Sequence, residues 1–336
     1  MSNGSFNDSA LTQEAFPVEG EMAPVSEPSD TRERPTPHRS KLDELLKNTK
    51  LPEGDLESAN EALHKYRSWV SQMKQVDATG DELVKAYVDL LNTYKRSIEV
   101  DLIWDSESDF LFRQRGQLKI DNSIIEEFLP WLIDPRVIPQ LKEQDLHAGP
   151  APAFAAAYFS SSLTASASDI AMKVRRKDQD FTVSRRAYLK ASFEPNFPPS
   201  ATSSAAVWLA YVAAECKTNL DKTMFQEASA TSHDLKVAVP AARYYLICEY
   251  LDMTPISTAG TDIDEVLIIR GKRLGSNKRK EYASAAKRRL LRNEYVDYLD
   301  ANPIRYDVLK RFVDHLRSLF EARDPSEEDV VAKGYF

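Results

Sequence analysis

Glu215 and Lys217, separated by Cys216, close an apolar run over residues 207–217. Side chains alternate along a strand, so this triplet sends one carboxylate and one amine to the same face while Cys216 points opposite. Magnesium takes one or two such carboxylates and retains several waters, so one further acid on a neighbouring strand completes a hydrolytic site. Asp180 and Asp178 lie upstream on an adjacent predicted strand, close enough for one of them to meet Glu215. Asp180 is preferred for its place at the lip of the segment that follows, and Asp178 is the substitute. A metal held there polarises a phosphoryl oxygen and lowers the pKa of a bound water, while Lys217 orients that water or offsets charge in the transition state. The reaction indicated is phosphodiester hydrolysis. The competing reading is an ion pair at a sheet edge, with no chemistry.

Charge supplies a second line. Between Arg270 and Arg292 lie ten basic residues and one acid, Glu281. Lys278, Arg279, Lys280, Lys287, Arg288, Arg289 and Arg292 give this predicted helical segment a positive face suited to phosphate contacts, against the alternative of a merely solvated surface. A smaller patch, Lys173, Arg175, Arg176 and Lys177, falls beside the proposed metal acids. The formal charge of −8 does not exclude a polyanionic substrate, because residues 1–39 hold seven acids against three arginines and carry half of the excess.

The elements that must position these groups are legible in outline. Residues 1–39, rich in Ser, Pro, Glu and Thr, are expected to be a disordered tail. Over 40–148 apolar residues recur at three and four, as in Leu56, Ala59, Leu63, Tyr66 and Val70, and predict a helical N-terminal region. Within it, Ser123 and Glu126 have capping-box spacing before a helix over 124–132. A core over 149–272 follows, with a hairpin-like pair in 171–193, a strand over 207–217, a helix over 221–237, and strands over 244–249 and 265–269. Residues 273–336 are expected to form a basic helical C-terminal region. The fold class is α/β, a mixed sheet flanked by helices.

Other chemistries find little support. The cysteines, Cys216 and Cys248, sit in predicted buried strands and read as reduced core thiols. The histidines, His38, His64, His147, His233 and His315, are dispersed and read as structural or exposed. No glycine-rich phosphate loop occurs, which excludes an ATP-driven motor. Glu126 and Glu127 could reach a metal site from a nearby helix, whereas Gln226 and Glu227 are expected to support the site or face solvent. No apolar run reaches the ~18 residues of a membrane span and no signal peptide is evident, so the expected location is the cytoplasm.

Asp180 with Glu215-Cys216-Lys217 resembles the signature of the PD-(D/E)XK nuclease superfamily, without the proline usual before the first aspartate. Longer phrases are more specific: Arg115-Gly116-Gln117-Leu118-Lys119-Ile120-Asp121-Asn122, Tyr158-Phe159-Ser160-Ser161-Ser162-Leu163-Thr164, Lys177-Asp178-Gln179-Asp180-Phe181, residues 213–228, and Leu251-Asp252-Met253-Thr254-Pro255-Ile256-Ser257-Thr258. Together they resemble, over residues 80–290, the type II restriction endonuclease family named after the Bpu-ten enzyme. The resemblance implies a PD-(D/E)XK core and a Mg²⁺-dependent, sequence-specific endonuclease that cuts both strands of DNA, leaving 5′-phosphate and 3′-hydroxyl ends. It implies Asp180 and Glu215 as metal ligands, Lys217 as the catalytic lysine, and Cys216 as a ligand through its backbone carbonyl. Implied partners are double-stranded DNA, a second copy or a related subunit, and a cognate methyltransferase. The rival functions are a repair or recombination nuclease of the same superfamily and a non-catalytic DNA-binding subunit.

Overall fold

Alternating burial along five segments builds one mixed sheet in the computed structural model of the chain, which describes residues 34–321, apart from 165 and 167–169, and residues 326–334. The strands are β1 (His147–Phe159), β2 (Met172–Ala191), β3 (Ser203–Leu220), β4 (Arg243–Leu251) and β5 (Glu265–Lys272), and they lie side by side in chain order. β2 pairs antiparallel with both β1 and β3, β1 also meets β3 in parallel at Ala153 and Trp208, and β3, β4 and β5 pair parallel.

Five helices precede the sheet: α1 (Pro37–Leu46), α2 (Leu56–Gln75), α3 (Gly80–Ser97), α4 (Phe110–Leu118) and α5 (Ser123–Phe128). A parallel strand pair needs a crossover, and α6 (Lys222–Ala238) provides it between β3 and β4. Asp221 caps α6 by accepting from the Met224 amide at 2.9 Å. Its stripe of Phe225, Ala228 and Leu235 packs in one cluster with Tyr244, Leu246 and Cys248. After β5 come α7 (Ser276–Glu281), α8 (Ala285–Leu290), α9 (Arg292–Ala301), α10 (Tyr306–Glu321) and α11 (Glu327–Lys333). The other face of the sheet, including Phe181, Val183, Ala214, Cys216, Tyr245 and Ile247, joins the core formed by the N-terminal helices and α10. The sheet is thus covered on both faces, as a central strand rich in apolar residues such as β3 demands.

Three local expectations are corrected. Residues 171–193 do not fold back on themselves: they form the single 20-residue strand β2, whose hairpin partner is β1. The segment between Lys177 and Phe181 lacks the glycine that the tight two-residue hairpin turns favour. Residues 124–132 are not one α-helix, because Pro130 cannot continue the hydrogen-bond ladder, and the chain tightens into a 3₁₀ turn over Leu129–Ile133. Ser123 caps nothing; its hydroxyl donates to the Lys119 carbonyl at 2.6 Å. Finally, the end of the expected tail is ordered: Pro37 to Arg39 begin α1, and His38 is fully buried. Residues 1–33 lie outside the described residues.

One cluster ties the helical layer to the sheet. Lys95 of α3 lies 3.2 Å from Glu99 and 3.0 Å from Glu249, and Arg270 lies 2.9 Å from Glu99 and 3.0 Å from Glu249, all four side chains being buried. Both cysteines are free and buried. Among the described residues no helix is long and apolar enough to cross a membrane.

Candidate active site

The ladder between β2 and β3 runs from Ala191–Ser203 to Phe181–Ala214 and ends there. Beyond that point β3 continues beside β4, with Glu215 opposite Leu246 and Lys217 opposite Cys248, while the first half of β2 follows β1. Asp180 and Glu215 therefore stand at the fork where two strands part. The parting frees backbone groups that a continuing ladder would have consumed. The Cys216 amide donates to Asp180 Oδ2 at 2.9 Å, which fixes that carboxylate against the end of the apolar strand.

Glu215 and Lys217 share a face, as their spacing requires, and Lys217 Nζ lies 2.6 Å from Glu215 Oε1. The Tyr244 hydroxyl donates to Glu215 Oε2 at 3.1 Å. Burial pulls the Lys217 ammonium down, but the hydrogen bond and charge of Glu215, with the charge of Asp180, outweigh it and hold its pKa above the usual lysine value. A second ammonium serves Asp180: Lys119 Nζ lies 3.7 Å from Asp180 Oδ1 and 3.6 Å from Glu126 Oε1. Lys119 adopts the left-handed conformation, φ 51°, that ends α4, costing about 1–2 kcal/mol for a residue with a Cβ. Asn122 donates through its one amide nitrogen to Glu126 Oε1 at 2.9 Å and to the Cys216 carbonyl at 3.2 Å. Burial first, and the Asp180 charge second, push the Glu126 carboxyl up.

Sequence reasoning missed Lys119, Asn122 and Tyr244. The first two lie in the phrase Arg115 to Asn122, whose familiarity was the available signal; nothing marked Tyr244, which reaches Glu215 through strand register. The alternatives separate clearly. Asp178 is exposed and lies opposite Pro152 of β1, away from the fork. Glu127 is engaged elsewhere, accepting from the His38 and Arg39 amides at the start of α1 and from the Tyr66 hydroxyl. Gln226 and Glu227 face solvent.

A cleft of about 530 Å³ opens beside Asp180, Cys216 and Lys217. Arg113, Arg115, Lys119, Arg273 and Arg279 line it. Arg279 is the one member of the predicted basic face found there. Arg288 is withdrawn from any surface: it is fully buried, donating to the carbonyls of Trp104 and Ser108. Two further cations of the segment are matched by acids within the protein. Arg292 forms a two-pronged pair with Asp105, and Lys278 pairs with Glu281 and Glu294. Lys280, Lys287 and Arg289 make no ion pair with the described residues.

The oxygen set at the fork suits a hard divalent cation: two carboxylates on adjacent strands and the Cys216 carbonyl. Two ammonium groups already crowd these oxygens, and beside them Asn122 Oδ1 is buried without a hydrogen-bond partner. Among the described residues no three His, Cys, Asp or Glu side chains gather into a metal cluster, so a cation there depends on the main-chain carbonyl and on water to complete its shell.

A family model for the Bpu10I restriction endonuclease matches residues 117–336, extending past residue 290 to include the C-terminal helices. Among solved structures, the chain is similar to one described as the native BbvCI A2B2 tetramer at low resolution, with a TM-score of 0.50 and 17% identity over 85% of this chain and 97% of that one. No curated protein matches. The mixed sheet flanked by helices is an α/β fold similar to that of the restriction enzyme, and the chain belongs to the Bpu10I restriction endonuclease family.

Proposed function

We propose that the protein is a type II restriction endonuclease, hydrolysing a phosphodiester in each strand of double-stranded DNA at a specific sequence with Mg²⁺ as cofactor. The observation that carries this reading is the convergence of Asp180, Glu215 and Lys217 where β2 and β3 part. Asp180, Glu215 and the Cys216 carbonyl would hold the magnesium, which when bound polarises the phosphoryl oxygen and lowers the pKa of a coordinated water. Asp180 is oriented for this by the Cys216 amide, and Glu215 by the Tyr244 hydroxyl. Lys217 sets a positive charge beside the reacting phosphate, where negative charge grows as water attacks phosphorus and the bond to the 3′ oxygen breaks. The products are a 5′-phosphate and a 3′-hydroxyl. Arg113, Arg115, Arg273 and Arg279 position the backbone along the cleft without selecting bases.

One chain supplies one such fork, so cutting both strands requires a second copy or a related subunit. The A2B2 assembly of the BbvCI structure supports a related subunit. A methyltransferase protecting the same sequence completes the proposed system, which acts in the cytoplasm.

The test is incubation with unmethylated plasmid in Mg²⁺ and in EDTA, followed by sequencing of the ends. The expected result is 5′-phosphate ends recurring at one sequence in Mg²⁺ and intact DNA in EDTA. Ends scattered without a common sequence would point to a repair-type nuclease, and intact DNA in Mg²⁺ to a non-catalytic subunit.

A further inference from the structure

The strand that carries Asp180 also carries an excess of positive charge. Residues 147–191 hold seven cations and three acids, in a protein whose acids outnumber its lysines and arginines 52 to 44. Lys173 and Arg176 precede Asp180 on β2, and Arg185, Arg186 and Lys190 follow it; all five are exposed. None of the five forms an ion pair with the described residues.

The half of β2 before Asp180 is built differently from the rest of the sheet. Met172 to Lys177 pair with residues 153–159 of β1, whereas the ladder with β3 begins at Phe181. This two-stranded ribbon is anchored on one side, where Arg175 and Lys177 both reach Asp234 of α6, at 2.9 and 3.1 Å. Lys173 shares their face but forms no such pair, and Arg176 lies on the opposite face, exposed and donating to the Ala206 carbonyl at 3.2 Å. The ribbon ends in Tyr158 and Phe159, opposite Lys173 and Met172, and both aromatic side chains are more than half exposed, at 52% and 57%. β1 meets β3 at Ala153, opposite Trp208, and beyond that point the ribbon is two-stranded, which is marginal in water, and aromatic rings at its paired end add exposed apolar area. The major groove of B-DNA admits a two-stranded ribbon.

Resting on the nuclease reading above, we infer that the β1–β2 ribbon is an arm that contacts the duplex away from the cut. Lys173 and Arg176 meet phosphates, and Tyr158 and Phe159 enter the groove. Eight residues of strand separate Met172 from Asp180, about 26 Å at ~3.3 Å per residue. At ~3.4 Å per base pair, the arm reaches about eight base pairs from the scissile phosphate. Charge favours DNA over a protein partner, since the exposed cations make a positive strip on an acidic molecule.

The test is fluorescence anisotropy on a labelled duplex of mixed sequence in Ca²⁺, across a salt series, using the full chain with any subunit that co-purifies. Three proteins are compared: wild type, Lys173→Ala/Arg176→Ala and Tyr158→Ala/Phe159→Ala, the last two checked for unchanged melting. Lys173→Ala/Arg176→Ala should lose about tenfold in affinity and about two units of log–log salt slope, since each phosphate contact contributes ~0.9. Tyr158→Ala/Phe159→Ala should lose affinity at unchanged slope, because apolar groove contacts release no counterions. Both double variants binding like wild type would overturn the arm while leaving the nuclease reading intact. A change in assembly mass without a change in DNA affinity would overturn it in favour of a protein contact. Failure of wild type to bind any duplex would sink both readings.

Discussion

At the scale of single residues, the chemistry depends on small departures from regular structure. The Cys216 amide is available to Asp180 because the β2–β3 ladder has ended two residues earlier, at Ala214, and Lys119 reaches the fork from a left-handed turn. His38 shows how a residue with no chemical role still sets a pH limit. The Ser123 hydroxyl donates to Lys119, so His38 Nδ1 must donate to Ser123, leaving Nε2 to accept from the Tyr94 hydroxyl. That arrangement requires the neutral ring, and burial, with Lys95 adding to it, lowers its pKa from 6.5 to about 3. A histidine depressed in this way contributes stability that is complete above pH 6.5, where the unfolded ring is also neutral, and is lost as pH falls from 6.5 towards 3. His38→Gln should therefore be less stable than wild type at pH 7.5, with the gap narrowing by up to about 1.4 kcal/mol per pH unit below 6.5 in urea melts. A gap that stays constant from pH 7.5 to 5 would refute it. Glu215 and Lys217 were legible because their spacing fixes their common face. His38 was not, because its burial depends on helices far away in sequence.

At the scale of elements, periodicity revealed the strands and helices that bury a continuous stripe, as α6 does with Phe225, Ala228 and Leu235. It misplaced elements whose limits are set by partners. β2 extends through Lys177-Asp178-Gln179-Asp180 because β1 pairs with it there, and no local property of those polar residues announces a strand. The basic segment failed similarly: spacing placed Arg288 on a face with its neighbours, but the carbonyls left free around Trp104 and Ser108 draw it inside. The quartet of Lys95, Glu99, Glu249 and Arg270 has the same character, joining α3 and the segment after it to β4 and β5 through pairs up to 171 residues apart. Lys95→Met leaves two buried carboxylates facing one guanidinium and should cost about 3–5 kcal/mol of unfolding free energy. A loss below about 1 kcal/mol in equilibrium denaturation would show that the quartet is not a structural clamp.

At the scale of the whole molecule, a helical layer, a forked sheet and a crossover helix leave one face where carboxylates, ammonium groups and a cation-lined cleft come together. The separate roles of the fork and the cleft explain why a chain of net charge −8 can act on a polyanion: its acids pair internally or lie elsewhere, while local cations face the site. One fork per chain makes strand counting the most direct test of the account. Wild type and Lys217→Ala, each expressed with the genes adjoining its own so that any second subunit is present, would be incubated with supercoiled plasmid in Mg²⁺. Linear DNA from wild type, and nicked circles or intact plasmid from Lys217→Ala, are the predicted result. Linear DNA from Lys217→Ala at the wild-type rate would contradict it, because both strands would then be cut without the lysine at the fork.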